Sequence, residues 1–124
     1  MRYVMFVCGD GTEPDVDLQA ETEAWVAEMD GRGIRKTGDR LRPVADSTTV
    51  RVRGGEALVT DGPFAEGTEV IGGYSILNVD TYQEAREMAR QVIQIHRDFW
   101  PGWEGSSELR QISDGPPQML EETT

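Results

Sequence analysis

The stretch that decides the fold lies at the start of the chain, where residues 2–8 read RYVMFVC. β-Branched, aromatic and sulfur-containing side chains follow one another here, which is typical of a β-strand. Alternate residues of a strand point to opposite faces of a sheet. Both faces of this strand are apolar, since Tyr3 and Met5 fall on one and Val4 and Phe6 on the other. The pattern therefore predicts a central strand that is covered on both sides.

One helix and several strands follow this first strand. Apolar residues recur at helical spacing over residues 18–29, and Asp15 or Asp17 is the predicted N-cap. The glycines at 54–55 predict a two-residue hairpin turn, because both tolerate the positive φ of a primed turn. The predicted strands in this part of the chain cover residues 34–42, 47–53, 57–60 and 70–79.

A second helix opens with a capping box, in which Thr81 and Glu84 occupy the Ser/Thr-x-x-Glu positions. Its predicted apolar stripe comprises Tyr82, Ala85, Ala89, Val92, Ile93 and His96. The glycines at 72–73 predict either a bulge or a close backbone approach in the strand before it. The rest of the chain is predicted as a loop over 65–69, an aromatic loop over 99–103, a last strand over 107–112 and a mobile tail over 113–124.

The order of these elements is βαββββαβ. With a central strand that is apolar on both faces, this order predicts a ferredoxin-like α+β sandwich, whose antiparallel sheet carries both helices on one face. The opposite face would then be buried in a homodimer. A chain of 124 residues has room for one domain. We assign residues 1–112 to that domain and residues 113–124 to a flexible tail.

The composition argues against several classes of protein. Acidic residues number 23 against 12 basic ones, and the net charge of −11 repels a phosphate backbone, so no nucleic-acid partner is expected. No apolar run approaches the roughly 18 residues of a membrane span, and no signal peptide pattern is present. Cys8 is the single cysteine and has no partner for an internal disulfide. A cytoplasmic protein without membrane association is expected.

The charges are grouped in two blocks. Residues 10–30 carry eight acids and no base, whereas residues 32–53 carry seven bases against two acids. Two interpretations are open. Either the blocks neutralise each other, within one chain or between two copies, or the basic block binds an anion. The first is the more common arrangement in small acidic domains.

A resemblance to a known family rests on residues 59–66, which read VTDGPFAE, followed by Glu69 and by GGY at 72–74. This segment resembles the signature of the YCII-related family, in the branch named after its Asp-Gly-Pro-Phe motif. The resemblance extends over about residues 1–112 and implies a dimeric α+β barrel. The function of the branch is mostly unassigned. Relatives encoded near, or fused to, alternative sigma factors imply a transcription-related partner.

Two positions depart from the family pattern. Some YCII-like proteins carry a histidine on the first helix, which is thought to form an acid–base dyad with an aspartate. This chain has Thr22 in roughly that place and no histidine on the helix, so the dyad is not carried over. A lysine that is common after the motif is replaced by Thr68.

Asp61 and His96 are the candidate catalytic residues. Asp61 lies at a strand end where Gly62 and Pro63 restrict the backbone, so its carboxylate either acts as a base or accepts hydrogen bonds within an Asx turn. The turn is the commoner role. His96 is the only histidine, at the end of the second helix and on its apolar stripe. There the helix dipole favours the cation, and the ring is either a general acid or base or a packed residue.

Arg42, Tyr74 and Trp100 are the candidate ligand-binding residues. Tyr74 follows two glycines that leave space beside the sheet, and its phenol either lines a cavity or joins the core. Trp100, like Trp103, either covers a pocket or contacts a partner subunit. Arg40 and Arg42 lie two apart, as do two further arginines at 51 and 53, and such pairs hold a carboxylate or phosphate or simply face solvent. Both pairs are expected to converge on one hairpin.

No metal or cofactor is expected, because one histidine and one cysteine do not make a metal centre and no phosphate-binding glycine loop is present. Two hypotheses of function remain. The first is a small-molecule-binding protein or cofactor-independent enzyme that transfers a proton on a small acidic or aromatic ligand, using Asp61, His96 and an arginine anchor. The second is a non-catalytic dimeric module that binds a regulatory protein in a transcription-related setting.

Overall fold

A computed structural model of the protein describes residues 1–12, 15–62 and 70–114. The predicted order of helices and strands is confirmed, with an additional 3₁₀ turn at Val44–Asp46. The helices are α1 (Val16–Gly31) and α2 (Tyr82–Phe99). The strands are β1 (Arg2–Gly9), β2 (Arg35–Arg40), β3 (Thr48–Arg53), β4 (Glu56–Asp61), β5 (Val70–Asn78) and β6 (Ser106–Gln111).

The sheet has four antiparallel strands in the order β2-β5-β1-β6, and β3 and β4 form a separate two-stranded sheet. The first strand, β1, is central as predicted, since Met5 lies between Ser75 of β5 and Leu109 of β6. Both crossovers that return to this sheet contain a helix. The arrangement is the predicted ferredoxin-like α+β fold, with the β3–β4 hairpin inserted between the second and third strands of the sheet.

The core lies between the sheet and the two helices. Tyr3 and Leu77 are completely buried on the helix-facing side of neighbouring strands. Helix α1 contributes Trp25 and Met29 to this cluster, and α2 contributes the remaining helical side chains, namely Ala85, Met88 and Val92. Met88 was absent from the predicted stripe of α2, although its spacing from Ala85 and Val92 fits it.

Side-chain caps start both helices where the sequence predicts them. The carboxylate of Asp15 accepts a hydrogen bond from the backbone N–H of Leu18 at 3.0 Å. The hydroxyl of Thr81 accepts one from the N–H of Glu84 at 3.1 Å. Each bond satisfies a donor that has no partner inside the helix. Of the two caps predicted for α1, Asp15 is therefore the one used.

The predicted hairpin turn and bulge are both confirmed. Gly54 and Gly55 have φ angles of 61° and 80°, as a primed turn requires. In β5, Gly73 pairs with Val7 while the residue two positions earlier pairs with Cys8, so Gly72 is the extra residue of a bulge.

The arginines of the basic block do not converge on one hairpin, contrary to the sequence-based expectation. Arg40 ends β2 in the large sheet and Arg42 lies beyond it, whereas Arg51 and Arg53 lie on β3 of the small sheet. The reason is that β2 pairs with β5, which lies some thirty residues further along the chain, and not with its neighbour β3.

The second cover of β1 is not provided by the helices of the same chain. Val4 and Phe6, on the face opposite the core, are half-buried, and so is Cys8, which ends that row. Ile71 on the same face is 45% exposed. Among the residues that the structure describes, no helix is long and apolar enough to cross a membrane. The predicted loop over 65–69 and the greater part of the predicted tail, from residue 115 onwards, lie outside the described residues.

Candidate functional site

A cavity of about 720 Å³ lies between the helix-facing side of the sheet and helix α1. The sheet forms the floor of this cavity, because the side chains on its helix-facing side become smaller along strands β1 and β5. The paired residues on this face are, in order, Tyr3 and Leu77, Met5 and Ser75, and Val7 and Gly73. Large side chains fill the space to the helices at the first pair, and a serine and a glycine leave it open further along. The core therefore gives way to a cavity at this end of the sheet.

Helix α1 forms the roof of the cavity. The side chains it contributes include Leu18, Gln19, Thr22, Trp25 and Val26. Trp25 is held in place because its indole N–H donates to the side-chain oxygen of Gln91 on α2, at 3.0 Å. Thr22, in roughly the position of the histidine that some YCII-like proteins carry, donates its hydroxyl to the carbonyl of Leu18 at 2.8 Å.

The wall at the end of α2 is aromatic. Trp100 and Trp103 both line the cavity, and their rings lie 6.2 Å apart. Together with Trp25, all three tryptophans of the chain border this space. The loop that carries Trp100 and Trp103 follows the end of α2 because Pro101 does not continue a helix. Of the two roles open for Trp100, lining a pocket agrees with this placement.

His96 lies on the sheet-facing side of α2 and lines the cavity. It is 9% exposed, and its Nδ1 atom lies 2.8 Å from the carbonyl oxygen of Val92. Since a carbonyl accepts and does not donate, Nδ1 carries the proton of the neutral ring and Nε2 keeps its lone pair. Burial lowers the pKa of His96 from its ordinary value of 6.5, and the bond to Val92 opposes this only in part. The cation expected from the helix dipole is therefore disfavoured at neutral pH.

Asp61 is placed differently from His96. It is the last residue of β4, pairs with Thr48 and is exposed. Among the described residues, those that line the cavity include His96 but not Asp61. The structure thus does not bring the two predicted catalytic residues together at this cavity.

Arg42 and Tyr74 both border the cavity, in different ways. The Arg42 side chain is 83% exposed and makes an ion pair of 2.7 Å with Asp46, so it lies at the rim. Tyr74 pairs with Phe6, and strand alternation therefore directs its side chain to the open face of the sheet. A contact between the Tyr74 phenol and a ligand stays a prediction.

Arg35 is a site residue that the sequence analysis did not single out. It lines the cavity, and its side chain is only 9% exposed. Its orientation depends on an irregularity of β2, where Arg35 pairs with Leu77 and Thr37 pairs with Ile76, leaving Lys36 as an extra residue. Without that bulge, strict alternation would place Arg35 and Thr37 on one face. A charged residue at an inward-facing strand position indicates such a site. The sequence did not reveal that Arg35 faces inward, because this depends on the register of β2 against β5.

Comparison with known proteins identifies relatives of this chain. The YCII-related domain family matches residues 1–97, which contain both helices almost entirely and five of the six strands. An uncharacterised protein of Rhizobium meliloti (strain 1021) is 33% identical over 117 residues, which covers 82% of this chain and 90% of the relative. The match covers well over half of the chain and includes the elements that form the cavity floor and roof. The chain belongs to the YCII-related domain family.

Proposed function

We propose that this protein binds a small molecule in the cavity between its sheet and helix α1. The observation that carries the proposal is the cavity itself, about 720 Å³ in volume, with a floor of small residues and an aromatic wall. Binding sites for small molecules commonly enclose about 300–1,000 Å³ and combine apolar walls with a few polar groups. The polar groups here include the imidazole of His96 and the hydroxyls of Thr22 and Ser75.

Intrinsic fluorescence tests this proposal, because all three tryptophans border the cavity. We expect saturable changes in emission when the protein is titrated with phenylacetate, phenylacetamide or phenethylamine, a matched set of an anion, a neutral molecule and a cation. Thr22→Phe should weaken the binding of every compound that binds, since the new ring enters the cavity from α1.

Ala24→Phe is the matched control. Ala24 is exposed on the same helix and is not among the residues that line the cavity. This variant should bind as the wild type does. A wild type that responds to none of the three compounds, or two variants that bind equally well, would contradict the proposal.

We propose further that His96 accepts a hydrogen bond or a proton from the bound molecule, as the enzyme hypothesis requires. Its Nε2 atom is a lone-pair acceptor in the neutral ring, within a side chain that borders the cavity. Phenol and anisole make a matched pair, because phenol donates a hydrogen bond and anisole does not. We expect phenol alone to shift the ¹⁵N resonance of Nε2. The same shift with both compounds, or with neither, would argue against this role.

The enzyme hypothesis in its original form also uses Asp61. Asp61 lies at the end of the hairpin strand β4 and is not among the described residues that line the cavity. A proton transfer that involves both Asp61 and His96 is therefore a proposal from the sequence alone. Asp61→Asn is therefore expected to leave the binding of phenylacetate unchanged.

We also propose that two chains associate as a homodimer through the open face of the sheet and the β3–β4 hairpin. Both helices pack on the opposite face, and Val50, Val52 and Val59 of the hairpin are 63%, 77% and 67% exposed. A row of exposed valines on a strand face is typical of a surface that is covered in an assembly. Light scattering at micromolar concentration should give the mass of a dimer, and Val50→Ser combined with Val59→Ser should weaken it.

A monomeric wild type would contradict the homodimer. In that case the exposed valines would be available to a different protein, as the alternative hypothesis of a regulatory partner requires. Membership of the Asp-Gly-Pro-Phe branch and a cytoplasmic location stay predictions from the sequence.

A further inference from the structure

The guanidinium of Arg35 is a buried cation at the wall of the cavity. The side chain is 9% exposed, and it reaches from β2 across the helix-facing side of the sheet. Its Nε–H donates to the hydroxyl of Ser75 at 3.0 Å. Its Nη1 donates to both carboxylate oxygens of Asp30, at 2.9 and 3.3 Å. These bonds hold the planar group in one orientation.

Part of this guanidinium is left for a ligand. Arginine has five N–H donors, and the bonds to Ser75 and Asp30 use Nε and Nη1. Within the described residues, no hydrogen bond is formed by Nη2. That nitrogen lies beside Gly38, where the position of a Cβ atom would be only 2.7 Å away. The missing side chain at Gly38 makes the room that Nη2 occupies.

The other arginines at the cavity are more exposed to water. Arg42 is 83% exposed and is already bound to Asp46 through both Nε and Nη2, at 3.0 and 2.7 Å. Arg40 is exposed at the end of β2. An ion pair to an exposed side chain contributes little, because water screens it and long side chains lose entropy. A bond to a buried, oriented guanidinium is stronger and geometrically selective.

Apolar side chains border the same space. Val26 lies one turn before Asp30 on α1, and Met5 lies opposite Ser75 on β1. Both line the cavity, and so does Trp25. A ligand that contacts both the Arg35 guanidinium and these apolar side chains has an anionic group at one end and an apolar or aromatic body.

We propose that Arg35 is the anchor for the carboxylate of an aromatic carboxylic acid bound in this cavity. The inference rests on the proposed small-molecule function and assigns its ligand class. Ser75 and Asp30 act as positioning residues, which orient the guanidinium so that Nη2 faces the ligand.

Asp30 also competes with the ligand. Its carboxylate is 47% exposed and neutralises part of the charge of Arg35. Removing that charge while keeping the shape should therefore strengthen the binding of an anion. This response is the opposite of what a purely structural ion pair would give, since loss of its partner would then only loosen the site.

The experiment compares phenylacetate with phenylacetamide, which have nearly the same shape and differ in charge. Wild type should bind phenylacetate about tenfold more tightly or better, as measured by calorimetry or tryptophan fluorescence. Arg35→Gln should lose this preference and keep the affinity for the amide. Asp30→Asn should increase the affinity for phenylacetate and leave that for the amide unchanged. Arg97→Gln is the matched control, because the Arg97 side chain is 70% exposed on α2 and is not among the residues that line the cavity, and it should behave as the wild type does. Arg42→Gln tests the arginine at the rim and should retain more of the preference than Arg35→Gln does.

A further measurement needs no variant, in case Arg35→Gln does not fold. In the wild type, phenylacetate should shift the Nε–Hε resonance of Arg35 and phenylacetamide should not. The inference is overturned if wild type binds both compounds equally, if Arg42→Gln and not Arg35→Gln removes the preference, or if the Arg35 resonance does not respond. Binding of both compounds without preference leaves the small-molecule function intact. Binding of neither overturns the inference about Arg35, and it overturns the small-molecule function as well if phenethylamine does not bind.

Discussion

The imidazole of His96 lies against the indole of Trp103, with ring centroids 4.6 Å apart and ring planes inclined by 41°. The contact joins the last turn of α2 to the loop before β6. Gly9 makes room for it, because a Cβ atom there would lie 3.0 Å from the indole nitrogen of Trp103. One face of the histidine is thus shielded from water, and its Nδ1 atom is bound to Val92.

The pKa of His96 should lie below 6.5, because burial disfavours the charged imidazolium more than the Val92 carbonyl favours it. The chain has a single histidine, so an NMR titration of the imidazole protons follows this group without assignment. The unfolded protein in denaturant should give a value near 6.5. A folded value at or above the unfolded one would contradict the prediction.

The stability of the protein should fall as the pH is lowered below about 6.5. The folded state binds a proton at His96 less readily than the unfolded state does, since the pKa is lowered on folding. The contribution of His96 to the free energy of unfolding is therefore complete above the pKa of the unfolded state. It is lost as the pH falls toward the lower pKa of the folded state. Each pH unit in this window changes the free energy of unfolding by at most about 1.4 kcal/mol.

Urea unfolding between pH 5 and 7 measures this effect. His96→Gln has no titrating group at that position, so its free energy of unfolding should depend less on pH over the same range. Equal slopes for the variant and the wild type would contradict the assignment to His96.

Leu77→Ala should destabilise the protein by about 2–5 kcal/mol. Leu77 is completely buried between Tyr3 and the helices, and its truncation leaves a cavity that the surrounding side chains cannot fill. Val16→Ala is the control, because Val16 is 78% exposed at the first position of α1. Its effect should stay within about 0.5 kcal/mol. Denaturant unfolding of both variants gives the comparison, and similar losses would be inconsistent with the described core.

Gly38→Ala should cost about 1–3 kcal/mol and should also displace Arg35. The new Cβ would collide with the backbone carbonyl oxygen of Tyr74 and lie 2.7 Å from the Nη2 atom of Arg35. Gly31→Ala is the control, since among the described residues no atom beyond its chain neighbours and its own helix backbone lies within 4 Å of its Cβ position at the end of α1. That change should be neutral or stabilising by up to about 1 kcal/mol. Thermal unfolding separates the two, and a stable Gly38→Ala would contradict the close contact.

Thr81→Ala should destabilise the protein by about 1 kcal/mol, because the N–H of Glu84 loses the hydroxyl that accepts from it. Thr81→Ser keeps the acceptor and should recover most of the loss. Chemical unfolding of the pair tests the cap. An equal loss in both variants would point to the methyl group and not to the hydroxyl.

Local patterns were sufficient for much of the fold. The apolar alternation of Val4 and Met5 predicted the central strand, the threonine at 81 predicted the start of α2, and the glycines at 54–55 predicted the hairpin turn. Each of these features depends on residues a few positions apart. Strand alternation, helix capping and turn geometry act over that distance, so the residues themselves carry the information.

The candidate site was predicted less completely. His96 and Trp100 were recognised and do line the cavity, whereas Asp61 was recognised and does not. Arg35 was overlooked within a block of arginines, because nothing near it in the chain distinguishes a buried guanidinium from an exposed one. Its burial depends on Ser75, forty residues away, and on Asp30 at the end of α1.

By itself, then, the sequence determined the order of helices and strands, their caps and turns, the two-faced first strand and the acidic character of the chain. The tertiary structure alone decided where the cavity lies and which arginine faces it. The physical reason is that both depend on register: the bulge at Lys36 turns Arg35 inward, and the pairing of Val7 with Gly73 leaves the floor empty. Register is set by contacts between distant segments, so it exists only when the whole sheet has formed.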